Sequence, residues 1–398
     1  MALLFCWPNC STNYLHRLMK YYIIAGEASG DLHGSNLIKE LRRLDKDTTI
    51  RCWGGDLMQE QGAEVVKHYR DLAFMGFIEV AKNLSTIFKN IRFCKEDVQQ
   101  FGPDVLILID YPGFNLRIAK WAKEAGIKVI YYISPQVWAW KESRVKLIKQ
   151  VVDKMLVILP FEKSFYEEKW DYKVVYVGHP LVEVIENFLS KEKTVIDVFN
   201  AEKENQQKEI IALLPGSRKQ EISVKLPIML EASKHFSNYR FIIAQAPGQN
   251  KEMYDQFINA YENVELAKPG QAYSLLAQSR AALVTSGTAT LETALFGVPQ
   301  VVCYKGSSIS YQIAKRLIKI KYISLVNLIM DKQVVTELIQ HQLTVGNIQN
   351  ELNDILHNEQ RIAQLKREYQ DLKDLLKQGG DASARAAQEI IGFLQKSI

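Results

Sequence analysis

Cysteine is scarce in this chain, with five residues scattered along it. Cys6, Cys10, Cys52, Cys94 and Cys303 form no C-x-x-C, and the seven histidines form no tract. That pattern argues against a zinc or dithiol site, and an odd, scattered set fits a reducing cytosol. Long apolar runs are missing too: none approaches the roughly 18 residues that a membrane-spanning helix takes. The opening Met1–Leu18 has only a short apolar stretch, Ala2–Trp7, with no basic residue ahead of it, so it does not read as a signal peptide. Met19-Lys20 is a more natural start, and 1–18 reads as a leader outside the fold. Charge is nearly balanced, with 50 Lys+Arg against 45 Asp+Glu for a net +5. Such a small excess does not imply nucleic acid, and no RNA-binding signature is present. A local basic patch facing an anionic membrane or a phosphate-bearing substrate suits it better. There is no solenoid repeat and no low-complexity tract.

What is present is ordinary for a globular protein: 47% hydrophobic and 24% charged residues over 398 positions, enough for two or three domains. The pattern alternates strand and helix, which predicts parallel α/β sheets. Strands are expected at Tyr21–Ala25, Asp104–Asp110, Lys128–Ile133, Lys154–Leu159 and Val174–Val177. The pattern then restarts with Glu209–Leu214, Tyr239–Ala244, Val264–Ala267, Ala281–Thr285 and Gln300–Tyr304. Asp104–Asp110 is continuously apolar between its ends, as a strand buried on both faces should be. Gly178-His179-Pro180 reads as a hinge, and Ser190–Lys208 as a solvated connection. The division expected is 19–180 and 181–378, two Rossmann-like doubly wound domains with a cleft between them. A charged helix over Asn358–Lys377 ends at Gly379-Gly380. An amphipathic helix over 381–398 follows, and it is expected to fold back on the first domain or on a partner's.

Two junctions carry most of the information. Tyr21-Tyr22-Ile23-Ile24-Ala25-Gly26-Glu27-Ala28-Ser29-Gly30-Asp31-Leu32-His33-Gly34 and Ile210-Ile211-Ala212-Leu213-Leu214-Pro215-Gly216-Ser217-Arg218 each run from strand through a small-residue turn into a helix. Such a turn offers backbone N–H groups and a positive helix end to an anion. Ser286-Gly287-Thr288-Ala289-Thr290-Leu291-Glu292 repeats the theme, with room for a diphosphate and a carboxylate one turn in for ribose hydroxyls. The plain alternative is a capped helix start in which Glu292 completes a capping box. Arg218 suits a diphosphate through its fork of N–H groups, or is a surface arginine. Asp110-Tyr111-Pro112-Gly113-Phe114-Asn115 follows a buried strand. There Asp110 is a candidate general base, or a turn-forming Asp before Pro-Gly. Ser134-Pro135-Gln136-Val137-Trp138-Ala139-Trp140, beside Lys141 and Arg144, would line a sugar or acyl pocket, or simply pack as aromatic core.

Other features weigh less. His33 and His179 stand at junctions as possible proton carriers, although a lone histidine is commonly structural. Asp45-Lys46-Asp47 lies in a polar connection and reads as a solvated turn, so no metal is expected. Gly26, Gly30 and Gly34 do not match the dinucleotide fingerprint. Phe77, Val80, Leu84, Ile87, Ile91 and Cys94 form one stripe with basic residues nearby. That is either an interfacial helix or a surface helix facing the core. Met75-Gly76-Phe77 is the better membrane candidate.

Taken together, these motifs resemble lipid-A-disaccharide synthases, along with Val177-Gly178-His179-Pro180-Leu181, Val326-Asn327-Leu328-Ile329 and Ala382-Ser383-Ala384-Arg385-Ala386-Ala387. The resemblance runs from about Met19 to the C-terminus. It implies a GT-B fold and an inverting transfer from UDP-2,3-diacylglucosamine to the 6-hydroxyl of 2,3-diacylglucosamine 1-phosphate (lipid X). The product would be a β-1,6 disaccharide 1-phosphate, with UDP released and no metal or cofactor. It further implies a peripheral protein on the cytoplasmic face of the inner membrane of a Gram-negative bacterium, with no oligomeric state specified. Carried over by residue, Asp110 is the base and Arg218 stabilises the leaving group. Gly216, Ser217, Ser286, Gly287, Thr288, Glu292, Asn327 and Glu337 line the donor side. Gly30, Asp31, Asn115 and Gln136 line the acceptor side, and Met75 and Phe77 meet the membrane. The alternatives are a UDP-sugar 2-epimerase on the same fold and a non-catalytic UDP-sugar-binding peripheral membrane protein.

Overall fold

The computed structural model describes residues 18–72, 84–191, 208–307, 311 and 320–396. Strands β1 (Lys20–Ala25), β2 (Thr49–Gly54), β3 (Glu64–His68), β4 (Val105–Ile109), β5 (Lys128–Tyr132), β6 (Lys154–Val157) and β7 (Val175–Tyr176) form a sheet of order β3-β2-β1-β4-β5-β6-β7. Strands β8 (Ile210–Leu214), β9 (Arg240–Ile243), β10 (Val264–Leu266), β11 (Ser279–Thr285), β12 (Gln300–Tyr304) and β13 (Thr336–Ile339) form a second sheet, β10-β9-β8-β11-β12-β13. The strand pairings are parallel in both. The described chain divides into two compact units. One holds the residues up to Tyr132, Gln150–Lys154 and Ala387 onward; the other holds Ile133–Lys149 and Met155–Ala386.

The central strands show why the sheets form. All five residues of β4 and all five of β8 are buried, as parallel strands covered by helices on both faces must be. Ala212, Leu214, Ile242, Leu275, Leu276, Ala282, Val284 and Val298 pack together as one such core in the second sheet.

The strands expected from sequence are present with ends shifted by a residue or two, and three more appear: β2, β3 and β13. The missed edge strands have a physical reason. β3 reads Glu-Val-Val-Lys-His with no residue fully buried, and β13 is four residues with one buried. Edge strands need only one covered face, so they lack an apolar run. The stripe before Cys94 resolves in part. The helix Leu84–Phe101 turns Ile91, Cys94 and Val98 into the core and leaves Phe88 and Phe93 outside. That half of the stripe is an ordinary core-facing surface.

The last two helices follow the sequence pattern. Glu359–Lys377 is capped by the Asn358 side chain, which accepts from the Arg361 N–H at 3.2 Å. Ala382–Gln395 buries Ala386, Ala387, Ile390 and Leu394. Within the first unit, Glu389 pairs with Lys154 at 2.6 Å and the Phe393 ring lies beside Lys128. At the break before this helix, the backbone of Gly379 passes so close to Gly178 that a β-carbon on it would sit 2.0 Å from the Gly178 nitrogen.

Each strand order contains one reversal. From β1 the chain proceeds outward through β2 and β3, while from β4 it proceeds the other way. The same happens between β8 and β11 in the second sheet. At such a point the two connections diverge and leave a crevice at the carboxyl ends of the strands, where α/β proteins take ligands.

Candidate active site

The crevice of the first sheet is built by the turns after β1 and β4. Asn115, fully buried, donates from Nδ2 to the carbonyls of Asp110 (2.7 Å), Ile109 (3.2 Å) and Ile24 (3.5 Å), joining the ends of both strands. The Tyr131 hydroxyl also donates to the Asp110 carbonyl, at 2.6 Å. These bonds hold a strained turn, since Asp110 and Tyr111 are consecutive non-glycine residues in the left-handed region, with φ of 42° and 50°. Each costs about 1–3 kcal/mol, a strain that concentrates at functional sites. Gly26 lies against the Tyr111 ring, where a β-carbon would come within 2.4 Å of it. Only glycine fits there.

The Asp110 carboxyl is pushed up to about 7, first by burial and then by the charge of Glu27, with the Tyr111 N–H acting in the opposite direction. A carboxyl poised near neutrality suits a general base. Gly30 and Asp31 lie on the helix that follows β1, Ala28–Leu44. Asp31 is buried, and its two oxygens accept from the N–H groups of Gly55 (2.7 Å), Met58 (3.1 Å) and Leu57 (3.2 Å). Its carboxylate is thus taken up in fixing the helix Asp56–Glu60 beside the crevice. His33, buried in the same helix, has its imidazole pushed down to about 4 by burial, so it is neutral at physiological pH. His179 Nδ1 accepts from the Leu181 N–H at 3.2 Å.

Gln136 is exposed in the Ser134–Trp140 segment. That segment is anchored by a residue the sequence reading missed. Glu162, only 1% exposed, accepts from Trp138 Nε1 at 3.2 Å and from the Leu159 and Ile158 N–H groups at 3.0 and 3.3 Å. Burial pushes its carboxyl up to about 7. The signal was available: Pro160 and Glu162 are the first and third residues of the helix Pro160–Trp170, a recognisable helix start. Trp140 is 40% exposed, with Lys141 and Arg144 over its ring at 4.3 and 5.7 Å.

The crevice of the second sheet is built by Pro215–Arg218 after β8 and Ser286–Thr288 after β11. Gly216 and Gly287 have φ of 123° and 116°, a conformation closed to side chains. Each turn leads into a helix, Lys219–Ser233 and Thr288–Leu295, whose N-cap residues Arg218 and Gly287 make no side-chain cap bond. Helix N-terminal amides at the ends of two adjacent strands make an anion cradle. Glu292 does not complete a capping box; its carboxylate accepts from the Tyr273 hydroxyl at 2.9 Å. Tyr273 in turn packs on Phe188 and Phe296 at 5.5 and 5.3 Å. Burial raises the Glu292 pKa and the Tyr273 bond opposes that. Lys225, also missed, lies 2% exposed beneath this crevice and donates to the Thr285 hydroxyl. Its sequence signal is a lone lysine on the stripe Ile222, Leu226 and Met229, all buried.

Asn327 and Glu337 form a saturated network. Asn327 Nδ2 donates to Glu337 Oε1 and to the Val335 carbonyl, both at 2.9 Å, while its Oδ1 accepts from the Val334 and Val335 N–H groups. Glu337 also accepts from the Ser324 hydroxyl at 2.7 Å and from the Ile323 and Ser324 N–H groups. The pair ties β13 to the helix Leu325–Met330, and both residues line a polar cavity of about 480 Å³. Met75 and Phe77 lie outside the described residues. Among the described residues no cluster of three or more His, Cys, Asp or Glu is placed to hold a metal. Nor, among them, is any helix long and apolar enough to cross a membrane.

The family model and the similar sequences agree on one family. The model for lipid-A-disaccharide synthetase matches residues 21–391. The lipid-A-disaccharide synthase of Trichlorobacter lovleyi is 36% identical over 385 residues, covering 96% of this chain and 99% of that protein. That of Syntrophus aciditrophicus is 39% identical over 381 residues, covering 94% and 98%. Among solved structures, a UDP-GlcNAc 2-epimerase from Neisseria meningitidis bound to UDP-GlcNAc aligns with a TM-score of 0.64 at 15% identity, covering 95% of this chain and 100% of that one. The glycotransferase of kitacinnamycin aligns at 0.63 and 12%, covering 95% and 100%. At such identities the likeness establishes the fold alone: paired Rossmann-like doubly wound parallel sheets of the GT-B type.

Proposed function

Since this chain belongs to the lipid-A-disaccharide synthase family, whose members are glycosyltransferases that use a UDP-sugar and a lipid acceptor, we propose a specific reaction for it. The donor is UDP-2,3-diacylglucosamine, and the acceptor is 2,3-diacylglucosamine 1-phosphate. Asp110 takes the proton from the acceptor 6-hydroxyl as that oxygen attacks the anomeric carbon of the donor. The bond to the diphosphate breaks on the opposite face, the centre inverts, and UDP leaves. Arg218 and the N–H groups around Gly287 and Thr288 take up the charge that develops on the diphosphate, as a preorganised electrostatic contribution. Glu292 accepts from the ribose hydroxyls. Asn115 keeps the Asp110 turn rigid, and Gly30, Asp31 and Gln136 shape the acceptor side. Asn327 and Glu337 support the donor side by holding β13 and its neighbouring helix. The functional division is 19–180 for the acceptor half and 181–378 for the donor half, with Met75 and Phe77 as the contact to the inner-membrane surface.

The observation that carries this reading is the near-neutral carboxyl of Asp110 on a strained, cross-bonded turn at a switch point. Strain of that kind together with a carboxyl poised near neutrality supports a reacting group at this turn. The test is to supply UDP-2,3-diacylglucosamine with and without lipid X, in the presence of chelator, and to follow UDP and disaccharide. UDP release and disaccharide 1-phosphate that both depend on acceptor are expected. Isomerisation of UDP-GlcNAc without acceptor would favour the epimerase instead. UDP binding without turnover would favour the non-catalytic protein.

A further inference from the structure

The anion cradle of the second sheet contains a conflict that needs resolving. Glu221 stands in the first turn of the helix Lys219–Ser233, where a carboxylate favours the positive helix end. It leans back over the Pro215–Arg218 turn, so that one of its oxygens lies 2.5 Å from where a β-carbon on Gly216 would be. The turn that faces an incoming diphosphate therefore has a negative charge laid against it.

Two cations answer that charge. Arg218 Nη1 is 3.8 Å from Glu221 Oε1, and Lys225 Nζ is 3.9 Å from Glu221 Oε2. They are not equivalent. Arg218 is 64% exposed, whereas Lys225 is 2% exposed. Lys225 is also fixed by its bond to Thr285, the residue just before Ser286-Gly287. Cys303 also interacts with Lys225 electrostatically, and the buried Cys303 thiol is pushed up to about 12 and so stays neutral. When Arg218 turns to a diphosphate, Lys225 is the cation that remains beside Glu221. A buried charge is screened far less by salt than an exposed one.

We propose that Lys225 is a positioning residue for the donor's diphosphate. Its buried ammonium neutralises Glu221 beside Gly216 and ties the β8 turn to the β11 turn. Both helix ends thereby stay net positive toward the anion. This rests on the reading that the diphosphate lies on Pro215–Arg218 and Ser286–Thr288, and it adds a residue to that reading.

The test is calorimetric titration of the full chain with UDP, UMP and uridine. In Lys225→Met, UDP affinity falls about tenfold, UMP affinity falls less, and uridine affinity is unchanged. A purely structural lysine would weaken all three alike. Glu221→Gln alone, with the lysine in place, binds UDP several-fold tighter than wild type. Glu221→Gln combined with Lys225→Met recovers most of the lost UDP affinity, because the uncompensated carboxylate is gone. Unchanged UDP affinity in Lys225→Met overturns the proposal, as does equal loss for uridine or a double variant no better than Lys225→Met. If Lys225→Met does not fold, Glu221→Gln decides, and weaker UDP binding there overturns it. A wild-type chain that does not bind UDP at all removes the donor-site reading itself, before any variant is compared.

Discussion

The two switch points share one topology and carry opposite chemistry. At β1 and β4 the turns bring in carboxylates. Asp110 has its pKa raised by burial and by Glu27, and Asp31 is consumed in capping a neighbouring helix. At β8 and β11 the turns bring in helix N-termini and Arg218, and the helix after β8 adds a buried lysine. The backbone explains the crevices but not their polarity. A parallel sheet with a reversal leaves a gap at its strand ends whatever the side chains are. The turn after each strand and the helix it leads into decide whether the gap suits a proton acceptor or an anion. One α/β plan therefore yields a poised carboxyl on one sheet and an anion cradle on the other.

The largest expected effect breaks the first half of that comparison. Asp110→Asn should lower kcat about a thousandfold while UDP binding, measured by calorimetry, stays within twofold. Near-normal turnover would remove the general-base role. In the unchanged protein the rate should fall on the acid side with an apparent pKa near 7, because Asp110 must be ionised to act. Glu27→Gln should move that limb to lower pH without returning it to the ordinary carboxylate range. Burial, the larger cause of the shift, remains, and a pH–rate profile would show the displacement.

The sign of the same shift also predicts a stability effect. An unfolded aspartate ionises near 4, while the folded one resists ionisation until about 7, so folding favours the protonated form. The ionised carboxylate therefore weighs against the folded state above pH 7, and that burden disappears as the pH falls toward 4. Asp110→Asn should accordingly be more stable than wild type at pH 8, by on the order of 1 kcal/mol. Denaturant melts at pH 8 and pH 4.5 should show the gain only at the higher pH.

A smaller effect tests the second half. Arg218→Ala should weaken UDP binding and rate together, each by about tenfold to a hundredfold, in contrast to the rate-only loss at Asp110. Unchanged UDP affinity would count against its phosphate contact. Smaller again, Tyr273→Phe frees Glu292 from a single hydrogen bond. It should cost about 1 kcal/mol of stability and no more than a few-fold in UDP affinity. The smallest effect on catalysis is expected from Met75→Ser with Phe77→Ser. Vesicle binding should fall while turnover of detergent-dispersed substrate is retained, and unchanged vesicle binding would end the membrane-tip reading.

Much of this was legible in one dimension. The buried strands announce themselves because β4 and β8 must be apolar on both faces. The turns after β1, β4, β8 and β11 are legible because small residues and Pro-Gly pairs stand where a strand must hand over to a helix. What escaped was of two kinds. Edge strands β3 and β13 escaped because a strand with one open face needs no apolar run. Glu162 and Lys225 escaped because a buried charge looks like any surface charge until its surroundings are known. Glu292 had two readings of similar weight, and Tyr273, nineteen positions away, settled its hydrogen bond against the capping box.

By itself, then, the sequence determined the alternating α/β plan, the turns at the strand ends and the residue types those turns offer, because these depend on local periodicity and turn chemistry. Only the tertiary structure decided which carboxylates are spent on amides and which stay poised. It also decided where the sheets reverse, and that a lysine lies beneath an anion cradle with a glutamate to neutralise. Those outcomes depend on burial and on distances between segments far apart in the chain, and an ionisable group's character is set by its solvent and its neighbours rather than by its own place in the sequence.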